Sequence, residues 1–286
     1  MSASGFGTRL QAALDEYGQL CVGIDPHAQL LRAWGLGDDA AGVREFGLRV
    51  VDAAAGRVGV VKPQVAFYER FGSAGYAALE DVLAAARDAG LLVIADAKRG
   101  DIGTTMDGYA AAWLEPGAPL EADALTLSPY LGPESLHETI TRAIRADKGV
   151  FVLAATSNRE AAAVQTAITV DASAGDDEPL AARVAREVGS YNVGSAGALG
   201  PAGVVVGATL QRASFGLTDT VLAGTPILAP GFGAQGAEPS DLGALFGYVA
   251  SQVVASESRS ILSAGPAGLA ARIDARRALY SEVRHG

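Results

Sequence analysis

Cysteine is almost missing from this chain of 286 residues: Cys21 stands alone. No intrachain disulfide can form, and Cys21 lies inside an apolar run, where a buried inert thiol is expected rather than a nucleophile. Histidine is scarce too. His27, His137 and His285 show no metal-ligand spacing, and the lone cysteine adds none, so no metal site is read. Basic residues are outnumbered, 22 against 32 acidic, for a net charge of −10. That excess speaks against nucleic acid, whose binding needs a basic face. It leaves room for a small anionic ligand held by a few local cations. No apolar run reaches the ~20 residues of a membrane span. The opening segment, MSASGFGTR, lacks a basic stretch followed by an apolar one, so no signal peptide is read and a cytoplasmic location is expected.

What the chain has is apolar bulk, 49% of residues, enough for one large core. Apolar runs alternate with helical patterns, the rhythm of βα units around a parallel sheet. The runs predict strands over residues 20–25, 58–62, 91–96, 124–128, 149–155, 203–207, 226–229 and 252–255. Helical patterns precede them at 8–17, fall between them at 41–55, 76–89, 104–114, 133–146, 179–188 and 240–249, and close the chain at 267–284. About eight such units is the count of a (β/α)8 TIM barrel, class α/β, here one domain over 1–286. A doubly wound open sheet is the main alternative. The longest irregular piece is 157–178, whose 174–178 segment, AGDDE, reads as an exposed excursion.

One stretch organises the rest: Leu92 to Ala95 run straight into Asp96, Lys98, Arg99 and Asp101. The apolar part reads as a buried parallel strand. Asp96 and Lys98 are two apart, so on a strand both face the same side. Charges at the mouth of a buried strand are costly unless paired or used. In isolation the pattern is more often an inert ion pair than a site. The Arg99-Gly100-Asp101 tripeptide is taken as coincidence. Other strands, however, also end in polar groups. Asp25 ends the first, Lys62 the second, Ser128 the fourth, and Thr156-Ser157-Asn158 the fifth. A glycine-rich loop follows the seventh, and Ser258-Arg259-Ser260 the eighth. Convergence on the C-terminal mouth is how barrel sites are built.

Gly231-x-Gly233-x-x-Gly236 matches the dinucleotide fingerprint in letters only, because it follows the seventh strand rather than the first. In a barrel that loop, with the one after strand eight, is the usual place for a phosphate. Glycines such as Gly233 can offer backbone N–H groups, Gln235 an amide, and Arg259 a bidentate donor. The bland alternative is a flexible surface loop with Arg259 paired to Glu257 or simply solvated.

Together these residues resemble the orotidine 5′-phosphate decarboxylase family. The signature is Asp96-x-Lys98-x-x-Asp101-Ile102 with Lys62 on the neighbouring strand. Gly23-Ile-Asp25-Pro26, Thr156-Ser157-Asn158, Val206-Gly-Ala-Thr209 and Pro230-Gly-Phe-Gly-Ala-Gln235-Gly236 are similar to its longer bacterial branch. The resemblance implies a (β/α)8 barrel, a homodimer with shared active sites, orotidine monophosphate as substrate, and UMP and carbon dioxide as products, in pyrimidine synthesis without metal or organic cofactor. It implies that Asp96 crowds the leaving carboxylate, and that Lys98 stabilises and then protonates a carbanion at C6. Lys62 and Asp101 would hold Lys98 in place, with Asp101 reaching the partner's site. Asp25 would bind a ribose hydroxyl and Thr105 the 2′-hydroxyl across the dimer. Ser157 would face the base, and Gln235 and Arg259 would grip the phosphate. The match fades between Asn158 and Glu178, and over 210–224. Two rivals share the scaffold. One is a magnesium-dependent keto-sugar-phosphate decarboxylase or aldolase, needing an extra carboxylate for which Glu69 is the nearest candidate. The other is a non-catalytic nucleotide-binding barrel.

Overall fold

The computed structural model describes residues 5–170, 177–195 and 199–285. Eight parallel strands close into a barrel: β1 Leu20–Ile24, β2 Val60–Pro63, β3 Leu92–Arg99, β4 Ala124–Leu127, β5 Gly149–Ala155, β6 Ala202–Val206, β7 Ile227–Pro230 and β8 Val253–Glu257. Each pairs with its sequence neighbours, and β1 pairs with β8 to complete the ring. The predicted (β/α)8 barrel is therefore the observed fold, and the open sheet is not.

Strand periodicity explains how one chain fills two layers. Cys21, Val60, Ile94, Ala124, Phe151, Val205, Leu228 and Val254 pack together as the interior. Their neighbours Val22, Val61, Val93, Leu125, Val152, Val204, Ile227 and Val253 pack outward with the helices. Successive side chains alternate across a strand, so each strand feeds both layers, and its near-continuous apolar character follows. The helix Phe6–Tyr17 adds Phe6, Leu10 and Leu14 to the interior cluster and closes the barrel's N-terminal end. Phe6 meets Phe151 edge-on at 6.2 Å. Gly149 permits this approach, because a Cβ there would lie 2.2 Å from the Phe6 ring. Arg9 locks the plug with a 2.6 Å ion pair to Asp123, whose other oxygen accepts the Val93 N–H at 3.0 Å.

Boundaries differ from expectation where backbone geometry overrides composition. β3 continues to Arg99 through the charged residues, because Asp96 and Lys98 find partners there. The helix expected over 240–249 ends at Phe246, as Gly247 takes φ +53°. Short helices Ala28–Ala33, Ala66–Glu69 and Asp219–Leu222 carried no legible period. The stretch expected to be irregular from 157 holds a helix, Ala162–Gln165, and a two-stranded hairpin joining Ile168–Thr169 to Glu178–Pro179. The expected excursion at 174–178 lies largely outside the described residues, except Asp177 and Glu178.

Candidate active site

Interior positions change character toward the C-terminal mouth. Following the same inward parity, Cys21 leads to Asp25, Val60 to Lys62 and Gln64, Ile94 to Asp96, Ala124 to Thr126, and Val254 to Ser256 and Ser258. A cavity of about 700 Å³ opens there, with Asp25, Lys62, Asp96, Lys98, Ser157, Gln235 and Arg259 in its lining. Seven of the residues singled out from sequence thus meet in one place.

Asp96 is the hub. It is 7% exposed, and Lys62, on the adjacent strand, is 6% exposed. Lys62 Nζ donates to Asp96 Oδ2 at 2.9 Å, and Lys98 Nζ to Oδ1 at 2.5 Å. Thr126 Oγ1 adds a third donor to Oδ1 at 3.0 Å. Burial alone would raise the Asp96 carboxyl, but Lys62 and Lys98 together hold it well below the usual carboxylate range. Lys62 shifts the other way, upward: burial opposes its charge, and Asp96 and Asp25 overcome that. Both groups stay ionised near neutral pH. Lys98 differs, its side chain being 44% exposed.

The backbone at Lys98 is unusual. It has φ +51°, a left-handed conformation that costs a non-glycine residue ~1–3 kcal/mol. The β3–β4 register explains it. Ala95 pairs with Leu125 and Arg99 with Leu127, so four steps along β3 match two along β4. The extra residues bulge. The Lys98 N–H donates to Thr126 Oγ1 at 2.9 Å, which pins the bulge and aims the ammonium at Asp96. Gln64 completes the frame. Its amide donates to Asp96 O at 3.1 Å and its oxygen accepts from Lys98 Nζ at 3.4 Å. Sequence reasoning missed both Thr126 and Gln64. Their signal was parity: each continues the inward face of its strand toward the mouth.

Two polar atoms at the mouth are buried without a partner, Asp25 Oδ1 and Ser258 Oγ. Both residues line the cavity. A buried unpartnered acceptor is costly unless a ligand hydroxyl meets it. At the far end, Gln235 and Arg259 line the cavity, and their side chains make no hydrogen bond or ion pair among the described residues. Arg259 is exposed and not paired to Glu257, so that pairing is excluded; Glu257 is bound by Arg276 instead. An apolar wall of Leu153, Val205 and Leu228 suits a flat heterocycle.

Three expected residues do not line this cavity. Asp101 accepts the N–H of its own neighbour Ile102 at 2.8 Å, and Thr105 is exposed on the helix Gly103–Leu114. Gly233 has φ +68°, and its N–H donates to Ala237 O at 2.7 Å. It closes its own turn, and the Gly233 N–H is not left for an anion. Glu69, the carboxylate that a metal-dependent barrel would need, accepts from Tyr76 at 2.6 Å and from Arg99, outside the cavity lining. Arg99 is thereby absorbed into packing, its guanidinium also 5.4 Å from the Tyr109 ring. Among the described residues no helix is long and apolar enough to cross a membrane.

The model of the orotidine 5′-phosphate decarboxylase / HUMPS family matches residues 18–272. Orotidine 5′-phosphate decarboxylase of Streptomyces coelicolor is 50% identical over 272 residues, 95% of each chain. That of a Nocardioides species is 52% identical over 258 residues, covering 90% of this chain and 91% of its own. Among solved structures, the Leishmania donovani OMP decarboxylase superposes with TM-score 0.76 at 32% identity, over 99% of this chain and 100% of its own. The expected family is thus the observed one: the chain belongs to the orotidine 5′-phosphate decarboxylase / HUMPS family.

Proposed function

We propose that this chain decarboxylates orotidine 5′-phosphate to UMP and carbon dioxide, a step of pyrimidine synthesis, using its own side chains and no metal or organic cofactor. One observation carries the proposal: Asp96, ionised and buried, sits between Lys62 and Lys98 at the floor of a cavity with a free guanidinium at its other end. Base and ribose fill the space between, and Gln235 and Arg259 grip the phosphate. The substrate carboxylate then lies beside Asp96, where like charges repel. The C6–carboxylate bond breaks, carbon dioxide leaves, and the electron pair stays on C6. Lys98 stabilises that charge and delivers a proton to C6, and its half-exposed ammonium recovers a proton from water. Asp25 Oδ1 accepts a ribose hydroxyl. Ser157 faces the base.

The active unit in this proposal is a homodimer. Asp101 and Thr105, absent from their own cavity, serve the partner's site. Exposed apolar side chains, Ile102 next to Asp101 and Tyr130 and Leu131 after β4, supply area for that contact. Carbon dioxide release from orotidine 5′-phosphate by purified protein in EDTA tests the reaction. Turnover undiminished by the chelator is expected; activity lost and then rescued by magnesium would refute the metal-free mechanism.

A further inference from the structure

We propose that Glu257, with Arg276 and Tyr280 of the closing helix Gly265–His285, is a positioning group for the phosphate end of the site; this rests on Gln235 and Arg259 holding the phosphate. Glu257 ends β8 and is 0% exposed. Strand parity turns it outward, with Val253 and Ala255, toward the helices. Both its oxygens are occupied. Oε2 accepts from Ser260 Oγ at 2.6 Å and Arg276 Nε at 2.9 Å. Oε1 accepts from Arg276 Nη2 at 2.9 Å and Tyr280 Oη at 2.8 Å.

These bonds join three segments around the phosphate end. Ser260 follows Arg259 on the same short helical turn, Arg259–Leu262. Arg276 also reaches Glu238 Oε2 at 3.1 Å, and Glu238 caps the turn Pro239–Asp241 just past the glycine-rich loop. That loop packs on the carboxylate itself: a Cβ at Gly233 would lie 2.8 Å from Glu257 Oε2 and 2.5 Å from Ser260 Oγ. The Tyr280 ring meets Phe232 edge-on at 5.8 Å, and Phe232 lines the cavity.

A fully buried carboxylate is a poor choice for stability alone, because desolvation offsets most of the gain of a buried ion pair. Apolar packing would hold the closing helix as well. What the ionic cluster adds is direction, fixing the loop and the Arg259 turn against one point. The Arg259 side chain makes no hydrogen bond or ion pair among the described residues, so its aim comes from the backbone that Glu257 anchors.

The test uses Glu257→Gln and Tyr280→Phe in the full chain. UMP and uridine binding are measured by calorimetry, and kcat and KM with orotidine 5′-phosphate. For Glu257→Gln, UMP affinity falls about tenfold and KM rises to match, as expected for misplacing one charge-assisted contact. The kcat and uridine affinity stay within about threefold, because the groups at C6 are untouched. Tyr280→Phe keeps the ring and loses only the hydroxyl; it gives the same selective loss, about threefold, and carries the test alone if Glu257→Gln does not fold. Equal losses for UMP and uridine, or no UMP loss in either variant, overturn the proposal. Arg259→Ala in parallel separates the two ideas. If it leaves UMP affinity unchanged, the assignment of the phosphate end fails; if it alone weakens UMP, only the positioning role of Glu257 fails.

Discussion

Replacing Thr126 by Val keeps the shape of a buried side chain and removes one hydroxyl. That hydroxyl donates to ionised Asp96 at 3.0 Å and accepts the Lys98 N–H at 2.9 Å. A bond to a charged partner is worth ~1.5–3 kcal/mol and a neutral one ~0.5–1.5, so ~2–4.5 kcal/mol of local organisation is at stake. The loss falls on a residue already held at φ +51°, whose relaxation is worth ~1–3 kcal/mol and pulls the same way. The Lys98 ammonium then drifts from Asp96. If ~1.4 kcal/mol of that loss is felt in the transition state, kcat falls about tenfold. UMP affinity changes by less than about threefold, since Gln235 and Arg259 are untouched. Urea denaturation and steady-state decarboxylation of orotidine 5′-phosphate measure both quantities. A stability loss of the stated size with kcat within about twofold of wild type would refute the reasoning, leaving Thr126 as core packing.

Two further outcomes follow from burial and charge. Lys62 and Lys98 depress the Asp96 carboxyl against its burial, so the unfolded chain takes up this proton first as pH falls. The stability Asp96 contributes is full above its unfolded value of ~3.9 and is lost as pH drops toward the folded one. The gap in unfolding free energy between wild type and Asp96→Asn should therefore narrow between pH 5 and pH 3; a constant gap contradicts the pairing. Burial pushes the Cys21 thiol up to about 12, only partly offset by Lys62. An aromatic disulfide reagent at pH 8 should leave the native protein unmodified and label this single cysteine once urea unfolds the chain. Rapid labelling of native protein would place Cys21 nearer solvent than the barrel interior.

Much of the fold was legible because a barrel strand is local information. Runs such as Leu92 to Ala95 and Gly149 to Ala155 sit in both layers of a core, and a short apolar stretch says so without its neighbours. The charged ends were legible for the same reason: Lys62 and Asp96 stand where the buried parts of their strands stop. Thr126 was not, since within Ala-Leu-Thr-Leu it looks like any core threonine. Its importance depends on the bulge of a different strand, a matter of register that no single stretch encodes. Gly233 shows the converse. Its position in a glycine-rich loop suggests a free N–H, but the loop folds on itself and spends that donor on Ala237. Glu257 looks like a partner for Arg259 from two residues away, but the strand turns it outward to Arg276. The helix expected over 240–249 failed at Gly247, whose positive φ depends on what packs around it.

In the proposed reaction Lys98 carries charge and proton to C6. The most direct test of this role is carbon dioxide release by Lys98→Ala at saturating orotidine 5′-phosphate, with UMP binding measured on the same sample. Undetectable turnover with UMP still bound is the expected result. Turnover near the wild-type rate would contradict it and hand the proton to another residue.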